Sequence, residues 1–498
     1  MVDSEIERKI LKIFNDQNPW WFREKIRGYK EFKRRDYWTL IEKIDPSRDK
    51  SKKIMMITGL RQIGKSTILF QLIDFLINMR DVETRKILFL SFDYPSFIQS
   101  PEVHFDDLME IYSTRILKKP FKQISEETYI FLDEICKLKN WDRILKGWYD
   151  LGYPIKFIVS DSSCAYLLRG SESLIGRITP YLMFPFKFVD LVRYYKEKEK
   201  KYEEARKIDD SGLLLRSLFY KASENKDLKK FFNSIQEIYS SISYLEEEIK
   251  IFLQRYILIN GFPGLLPIED LFECSEQLRY YINLTLAKDL VRVFNIRNMK
   301  AMEDLVALIA EESAQKMNYE SLCRNLSIGK THTVKEYLDF LESSFLIYRS
   351  ERYLKSKASS LRKDKKIYFA NVGLRNAITG TLNMRLFQNP TELGRVVETL
   401  VYEHCKRLKF NLEPGIEPKL YYWNNKKGEE IDIIMEFHGI PIPIESKYKN
   451  KIEKKVINRV NNFVEEYKCP FGIIITKDRL DLKDNVLLIP LWIFLLIC

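Results

Sequence analysis

The chain is poor in metal-binding side chains. It has four histidines in 498 residues, and its seven cysteines, Cys136, Cys164, Cys274, Cys323, Cys405, Cys469 and Cys498, include no C-x-x-C pair. This argues against a structural zinc module and fits a reducing cytoplasm. Long apolar runs are also missing. The N-terminus is charged from Asp3 onward and lacks the core of a secretory signal. The greasiest stretch, Val486 to Cys498, contains Pro490 and is too short to span a bilayer as a helix, so it predicts a terminal core strand and no membrane partner.

What is present is length, positive charge and one dense motif. A chain of 498 residues outgrows a single hydrophobic core and predicts two to four domains. Lysine and arginine number 82 against 70 acids, and this net charge of +12 favours a polyanionic partner. The 28 Tyr, 31 Phe and dense Lys-Glu pairing also suit a heat-adapted protein without one.

The motif is Gly59-Leu60-Arg61-Gln62-Ile63-Gly64-Lys65-Ser66-Thr67, with both glycines, the lysine and the hydroxyl at G-x-x-x-x-G-K-[ST] spacing. It follows the apolar run Ile54 to Thr58 and opens a helical pattern through Leu69, Leu72, Ile73 and Leu76. The expectation is an ATP site in which backbone N–H groups of residues 60–66 cradle phosphates. Lys65 reaches the β and γ phosphates, and Ser66 ligates Mg2+.

Strands are expected at Lys53 to Thr58, Lys86 to Phe92, Tyr129 to Glu134, Pro154 to Val159 and Tyr181 to Phe186. The third delivers Asp133 and Glu134 at its C-terminal end, where open α/β sheets place their chemistry. Asp133 would hold Mg2+ and Glu134 would polarise water for γ-phosphate cleavage; the bland alternative is two surface acids closing a strand. Either Ser160 or Ser162, after the fourth strand, is placed to sense the γ-phosphate. Arg177 is either a finger reaching a neighbouring subunit's nucleotide in a homo-oligomer or a salt-bridged loop arginine.

Ahead of the loop, Ile6 to Phe14 and Trp20 to Phe32 read as aromatic-rich helices of a brace. After the fifth strand, the charge run Lys196 to Asp210 and the helical segments Leu215 to Tyr256 and Gln277 to Asn295 predict a lid, interrupted by the turn Asn260 to Leu265. Helices at Met302 to Gln315, Tyr319 to Leu326 and Thr331 to Ser343, with strands Phe345 to Tyr353 and Lys365 to Phe369 as a wing, give a winged-helix pattern. Lys330, Thr331, His332 and Lys335 would then face DNA, although the same fold also serves as protein scaffolding.

A last unit starts near Pro390. Asp432 interrupts an apolar strand, Glu430 to Phe437; after the His438-Gly439 turn, Glu445 and Lys447 share one face of Ile440 to Lys447. Asp432 and Glu445 suit a hard cation such as Mg2+, Glu398 from the helix Thr391 to Leu408 could complete the shell, and Lys447 could orient water. The arrangement resembles the D-x(n)-E-x-K set of restriction-endonuclease-like nucleases, either active or degenerate and kept for binding.

The order of parts resembles a prokaryotic, largely archaeal, AAA-type ATPase family whose C-terminal half is the domain of unknown function DUF4143. The anchors are Gly59 to Thr67, Ile130 to Glu134 with Trp141, Gly176-Arg177 before Phe184-Pro185-Phe186, Gly261-Phe262-Pro263, Tyr281 with Asp289, Glu398, Tyr422-Trp423, Asp432, Glu445 and Lys447. Where the family has Gly-Ser-Ser, this chain has Ser160-Asp161-Ser162-Ser163. The resemblance implies ATP binding with hydrolysis. The expected fold class is α/β: a helical brace (1–50), a P-loop core of AAA+/ASCE type (51–190), a helical lid (191–300), a winged helix (301–385) and a PD-(D/E)xK-like α/β domain (386–498). The expected function is an ATPase acting on DNA; a protein-binding regulatory switch and an ATP-gated Mg2+-dependent nuclease are the alternatives.

Overall fold

The computed structural model describes all residues except 1–3, 27, 49–52, 99–101, 163–173, 175, 291–297, 327, 329, 355–364 and 414–417. Ser163, Cys164 and the end of the helix expected to reach Asn295 therefore lie outside the described residues. The chain forms two compact units, Met1–Met183 and Phe184–Cys498.

The first unit is built on five parallel strands, β1 Ile54–Thr58, β2 Ile87–Ser91, β3 Thr128–Asp133, β4 Ile155–Asp161 and β5 Ile178–Leu182. Their order is β2-β3-β4-β1-β5, with β4 inserted between the strand before the phosphate loop and the strand that ends in Asp133. β1, β3 and β4 are buried along their whole length, as expected of parallel strands covered on both faces. The fifth strand starts three residues earlier than the pattern Tyr181 to Phe186 suggested. Ile54 N–H donates to the Arg177 carbonyl (2.9 Å) and fixes its register directly after the Gly176-Arg177 turn.

β2 lies at the edge of this sheet, and polar side chains from the N-terminal segment cap its exposed backbone. Asn18 both accepts from Phe89 N–H (2.7 Å) and donates to Phe89 O (3.1 Å). Gln17 accepts from Ser91 N–H (2.7 Å), and the indoles of Trp20 and Trp21 donate to Ile87 O. This capping corrects the helix expected over Trp20 to Phe32: only Pro19–Phe22 makes a 3-10 turn. Beyond it the chain turns at Gly28 (φ +80°), where a Cβ would crowd the Phe70 ring. The helices Ser4–Gln17 and Arg35–Ile44 do form, and Ile10, Ile13 and Phe14 join the core of the sheet.

The second unit is organised by nine strands: β6 Gln315–Met317, β7 Ile347–Arg352, β8 Lys365–Phe369, β9 Leu420–Asn424, β10 Glu430–Phe437, β11 Ile440–Ser446, β12 Gly472–Thr476, β13 Asp481–Lys483 and β14 Val486–Pro490. They make one sheet in the order β13-β14-β12-β11-β10-β9-β7-β8-β6. The expected wing, β7 with β8, does pair antiparallel, but β7 also pairs in parallel with β9 through Glu351–Tyr421 and Arg352–Tyr422. Residues 301–385 are therefore not closed off at 385; the free edge of β7 is satisfied by continuing the C-terminal sheet.

Helices form over the segments expected of the lid. The helices after Phe184 belong to this second unit, where Arg216 of the helix Tyr202–Asn225 donates to the Ile497 and Cys498 carbonyls at 3.0 and 2.9 Å. The charge run is split between that helix and Phe188–Lys198. The terminal strand expected over Val486 to Cys498 stops at Pro490 and gives way to a buried helix, Leu491–Ile497. Pro490 supplies the extended residue from which the helix starts, and Trp492 is fully enclosed.

Candidate functional site

The phosphate loop connects β1 to the helix Lys65–Arg80 through left-handed residues: Gln62 has φ +62° and Gly64, the N-cap, φ +92°. No side chain caps this helix start. Its first N–H groups thus keep the orphan donors and positive potential that suit phosphate oxygens. Gly59 is required for another reason: a Cβ there would run into the Met183 carbonyl. The Lys65 ammonium is buried and held by Gly59 O and Leu60 O, each at 2.9 Å; burial lowers its pKa. Arg34, from the segment before the loop, donates to Ile63 O (3.0 Å), a support that the sequence reading missed.

Asp133 is the hub of the site. Its Oδ2 accepts from Ser66 Oγ (2.6 Å), and its Oδ1 accepts from Ser160 Oγ and from Glu134 N–H (3.2 Å). The structure thus joins Ser160 to the hub, while the buried Ser162 Oγ has no hydrogen-bond partner among the described residues. A hydroxyl and a carboxylate held this way are hard oxygen donors and fit Mg2+. Glu134 sits in the left-handed region at φ +53°, a strain of about 1 kcal/mol or more for a side chain of this size. Burial, reinforced by the nearby Asp161 carboxylate, raises its pKa to about 7; Arg61 of the loop opposes this from 3.7 Å. Asp161 is itself buried and accepts from Cys136 N–H (2.8 Å), and Cys136 is disulfide-bonded.

Arg177 does not join this cluster. It ion-pairs with Asp150 (2.8 Å) next to the start of β5, at the sheet edge opposite the phosphate loop and about 15 Å away along the strand by a rise of ~3.3 Å per residue. In its own chain it is a loop arginine.

In the second unit the hairpin places Asp432 opposite Glu445, next to the Ile433–Ile444 pair. Lys447 Nζ stands 2.7 Å from Glu445 and 3.7 Å from Asp432. The sequence reading missed Lys366 of β8. Its buried ammonium lies 2.9 Å from Glu398, 2.7 Å from Glu430 and 3.5 Å from Asp432. Arg459 also pairs with Glu445.

The acids are therefore matched by cations of the protein itself. Among the described residues no group of three or more His, Cys, Asp or Glu is set to hold a metal ion. Burial and the Asp432 charge raise Glu398 and Glu445 to about 7. Burial pushes Asp432 upward too, but Lys366 and Lys447 outweigh it and hold that carboxyl below its usual range.

Comparison with known proteins agrees with these two regions. The AAA domain model (AAA_14) matches residues 51–192 and the DUF4143 model matches residues 393–494. The chain carries an AAA-type ATPase domain and a distinct DUF4143 domain. Between them, residues 251–385 match a further domain of unknown function, DUF8612, so the C-terminal half is not DUF4143 alone.

An uncharacterised protein of Methanocaldococcus jannaschii is 28% identical over 477 residues, spanning 94% of this chain and 90% of the relative. One of Haemophilus influenzae is 20% identical over 395 residues, spanning 78% and 83%. Among solved structures, the Aeropyrum pernix ORC1 protein in complex with DNA aligns at a TM-score of 0.27 and 13% identity, over 69% of this chain and 91% of that one. A likeness that slight has no bearing on function. The AAA domain implies ATP and Mg2+ by family. Among the described residues no helix is long and apolar enough to cross a membrane.

Proposed function

We propose that this protein hydrolyses ATP at Gly59–Thr67 and uses the cycle to act on DNA through its second unit. One observation carries the hydrolysis: Glu134, buried and raised to about 7, stands next to Asp133, whose oxygens are held by Ser66 and Ser160. A carboxylate with a pKa near neutrality is matched to taking a proton from water at physiological pH. Bound Mg2+ would neutralise charge on the β and γ phosphates. Ser66 and Asp133 would hold that ion, Lys65 the phosphates, and Ser160 the orientation of Asp133.

The DNA reading draws support from the net charge of +12 and from the helix–strand–helix–helix–strand–strand order of residues 299–369, that of a winged helix. In the helix Thr331–Ser343, Val334, Tyr337, Leu338 and Leu341 face the core, while Lys330, Thr331, His332 and Lys335 are exposed. The hairpin with Asp432, Glu445 and Lys447 is consistent with a PD-(D/E)xK-like module. With Lys366 and Arg459 matching its acids, that module holds DNA in this reading and does not cut it.

The test is ATPase activity with and without DNA, with Lys65→Ala and Glu134→Gln as controls. DNA should stimulate turnover, and affinity should fall steeply with salt. Absence of DNA binding at low salt refutes the reading, and turnover indifferent to DNA favours a switch that binds protein partners. A nuclease reading is kept open by Lys447 at 2.7 Å from Glu445. It requires metal-dependent cleavage that is lost in Asp432→Ala or Lys447→Ala.

A further inference from the structure

A cavity of about 210 Å³ in the first unit lies at the C-terminal ends of β2 and β3, with Asp133 on its wall. Its other walls come from the N-terminal segment and the helix after the phosphate loop. Trp20, Phe70 and Phe89 give it an apolar, flat-sided lining, and Phe70 and Phe89 touch at 4.8 Å between ring centroids. The indole N–H of Trp20 is already bonded to Ile87 O, so that ring offers only its hydrocarbon surface.

The polar groups are few and distinct. Gln17 is 8% exposed. Its Oε1 is fixed by the Ser91 N–H (2.7 Å), which sets the amide orientation and leaves Nε2 buried with no partner among the described residues. Beside it, Asp16 accepts from Tyr94 OH through Oδ2 (3.1 Å) and keeps Oδ1 as an acceptor. A buried amide N–H without an acceptor costs about 1–3 kcal/mol, and an acceptor on a ligand in the cavity would remove that cost.

We infer that this cavity binds a nucleobase, stacked against Trp20, Phe70 and Phe89. Its ring acceptor receives Gln17 Nε2–H and its exocyclic amino group donates to Asp16. Each base that carries an amino group has such an acceptor–donor edge, and thymine and uracil offer one through a ring carbonyl beside N3–H. A guanidinium or ammonium ion is excluded, because it cannot accept from Gln17. Recognition of a flat ring by stacking plus one polar edge is a general mode for unpaired bases. The cavity borders the Ser66 cluster through Asp133, and comparing nucleoside and ATP affinities in the same variants separates its base from that of the ATP whose phosphates the loop takes. The inference does not depend on hydrolysis or on the second unit.

The test is calorimetric titration of the full chain with adenosine, cytidine, guanosine and thymidine, and with short dA, dC and dT oligonucleotides. Gln17→Glu keeps the acceptor for Ser91 N–H and removes the Nε2 donor; Asp16→Asn exchanges the acceptor on the other side. Binding of at least one amino-bearing nucleoside or oligonucleotide, weakened tenfold or more by both variants while their affinity for ATP is unchanged, is the expected result. Tighter binding of the nucleoside assigns the site to free nucleosides, and tighter binding of the oligonucleotide assigns it to a base presented by a strand. No binding by either class overturns the inference. So does binding that both variants leave intact. If only ATP binding responds to the variants, the cavity belongs to ATP's own base and a second ligand is ruled out. A thermal melt of both variants within a few degrees of the parent separates loss of contact from loss of fold.

Discussion

Lys366→Met is the sharpest test of the C-terminal cluster. The ammonium is 3% exposed and stands within 2.7–3.5 Å of Glu398, Glu430 and Asp432, while methionine keeps much of the stem's packing. Removing one partner from a buried ion network costs about 3–5 kcal/mol, because the remaining charges are left uncompensated. The loss should depend on pH. Glu398 already has a pKa of about 7, above its ordinary 4.5, through burial and the Asp432 charge, and losing Lys366 raises it further. An acid whose folded pKa lies above its unfolded value favours the folded state at low pH and loses that contribution as pH rises through the folded pKa. The variant should therefore be destabilised by about 1–2 kcal/mol at pH 5, where Glu398 takes a proton, and by the full ~3–5 kcal/mol at pH 8. Urea unfolding of the second unit at both pH values measures this. Millimolar Mn2+ should raise the melting temperature of the variant and leave the parent unchanged, because a cation can then stand where the ammonium stood. Equal losses at pH 5 and pH 8, or a loss under 0.5 kcal/mol at pH 8, would refute the idea that Lys366 neutralises these acids.

Other tests concern the nucleotide site. Arg61→Ala removes a charge that lowers the Glu134 pKa, so the acidic limb of the pH–rate profile should move alkaline from about 7, with ATP affinity little changed; an unmoved limb would dissociate Arg61 from Glu134. Ser160→Ala frees one oxygen of Asp133 and should slow turnover about tenfold or more while Ser162→Ala leaves it within twofold, and the reverse order in steady-state kinetics would reassign the sensor. Above pH 5 the parent should lose stability toward pH 8 in denaturant titrations, since Glu134, Glu398 and Glu445 all have folded pKa values of about 7.

What was legible in the sequence is what local chemistry fixes. The phosphate loop needs a glycine against Met183 and a left-handed turn before its helix, and nine consecutive residues encode both. Asp432 and Glu445 were readable as a pair because the two-residue His438-Gly439 turn fixes the hairpin register. Lys366 was not, because β8 reaches the acids only through the continuation of one sheet across β9 and β7, a pairing with no local signature. Gln17 and Asn18 were hidden for a similar reason, as nothing in Asn-Pro-Trp-Trp says that a strand some 70 residues away needs its edge capped. The terminal helix was misread because a short apolar run fits a buried helix as well as a buried strand.

One anchor of the family pattern acquires a physical meaning only when the two motifs that flank it are considered together. Met183 N–H donates to Thr58 O (2.7 Å), and its carbonyl fills the space that a side chain at Gly59 would need. The next residues are Phe184-Pro185-Phe186. Pro185 O accepts from Arg407 (2.9 Å), Phe186 O accepts from Tyr256 OH (2.8 Å), and Phe186 N–H donates to Gly261 O (2.6 Å). Gly261 must be glycine because a Cβ there would strike the Phe186 backbone. Arg407 is fully buried and paired with Glu403, whose other oxygen takes Asn260 Nδ2–H (2.7 Å). Breaking a buried charged pair of this kind is costly, although Arg407 Nε itself has no hydrogen-bond partner among the described residues. Within the first unit Met183 is thus held against the start of the phosphate loop, and within the second unit residues 185–186 are held by Arg407, Tyr256 and Gly261. Gly59 is thus required by the backbone of the first unit and Gly261 by that of the second, each because a side chain there would strike a carbonyl, that of Met183 and that of Phe186 respectively.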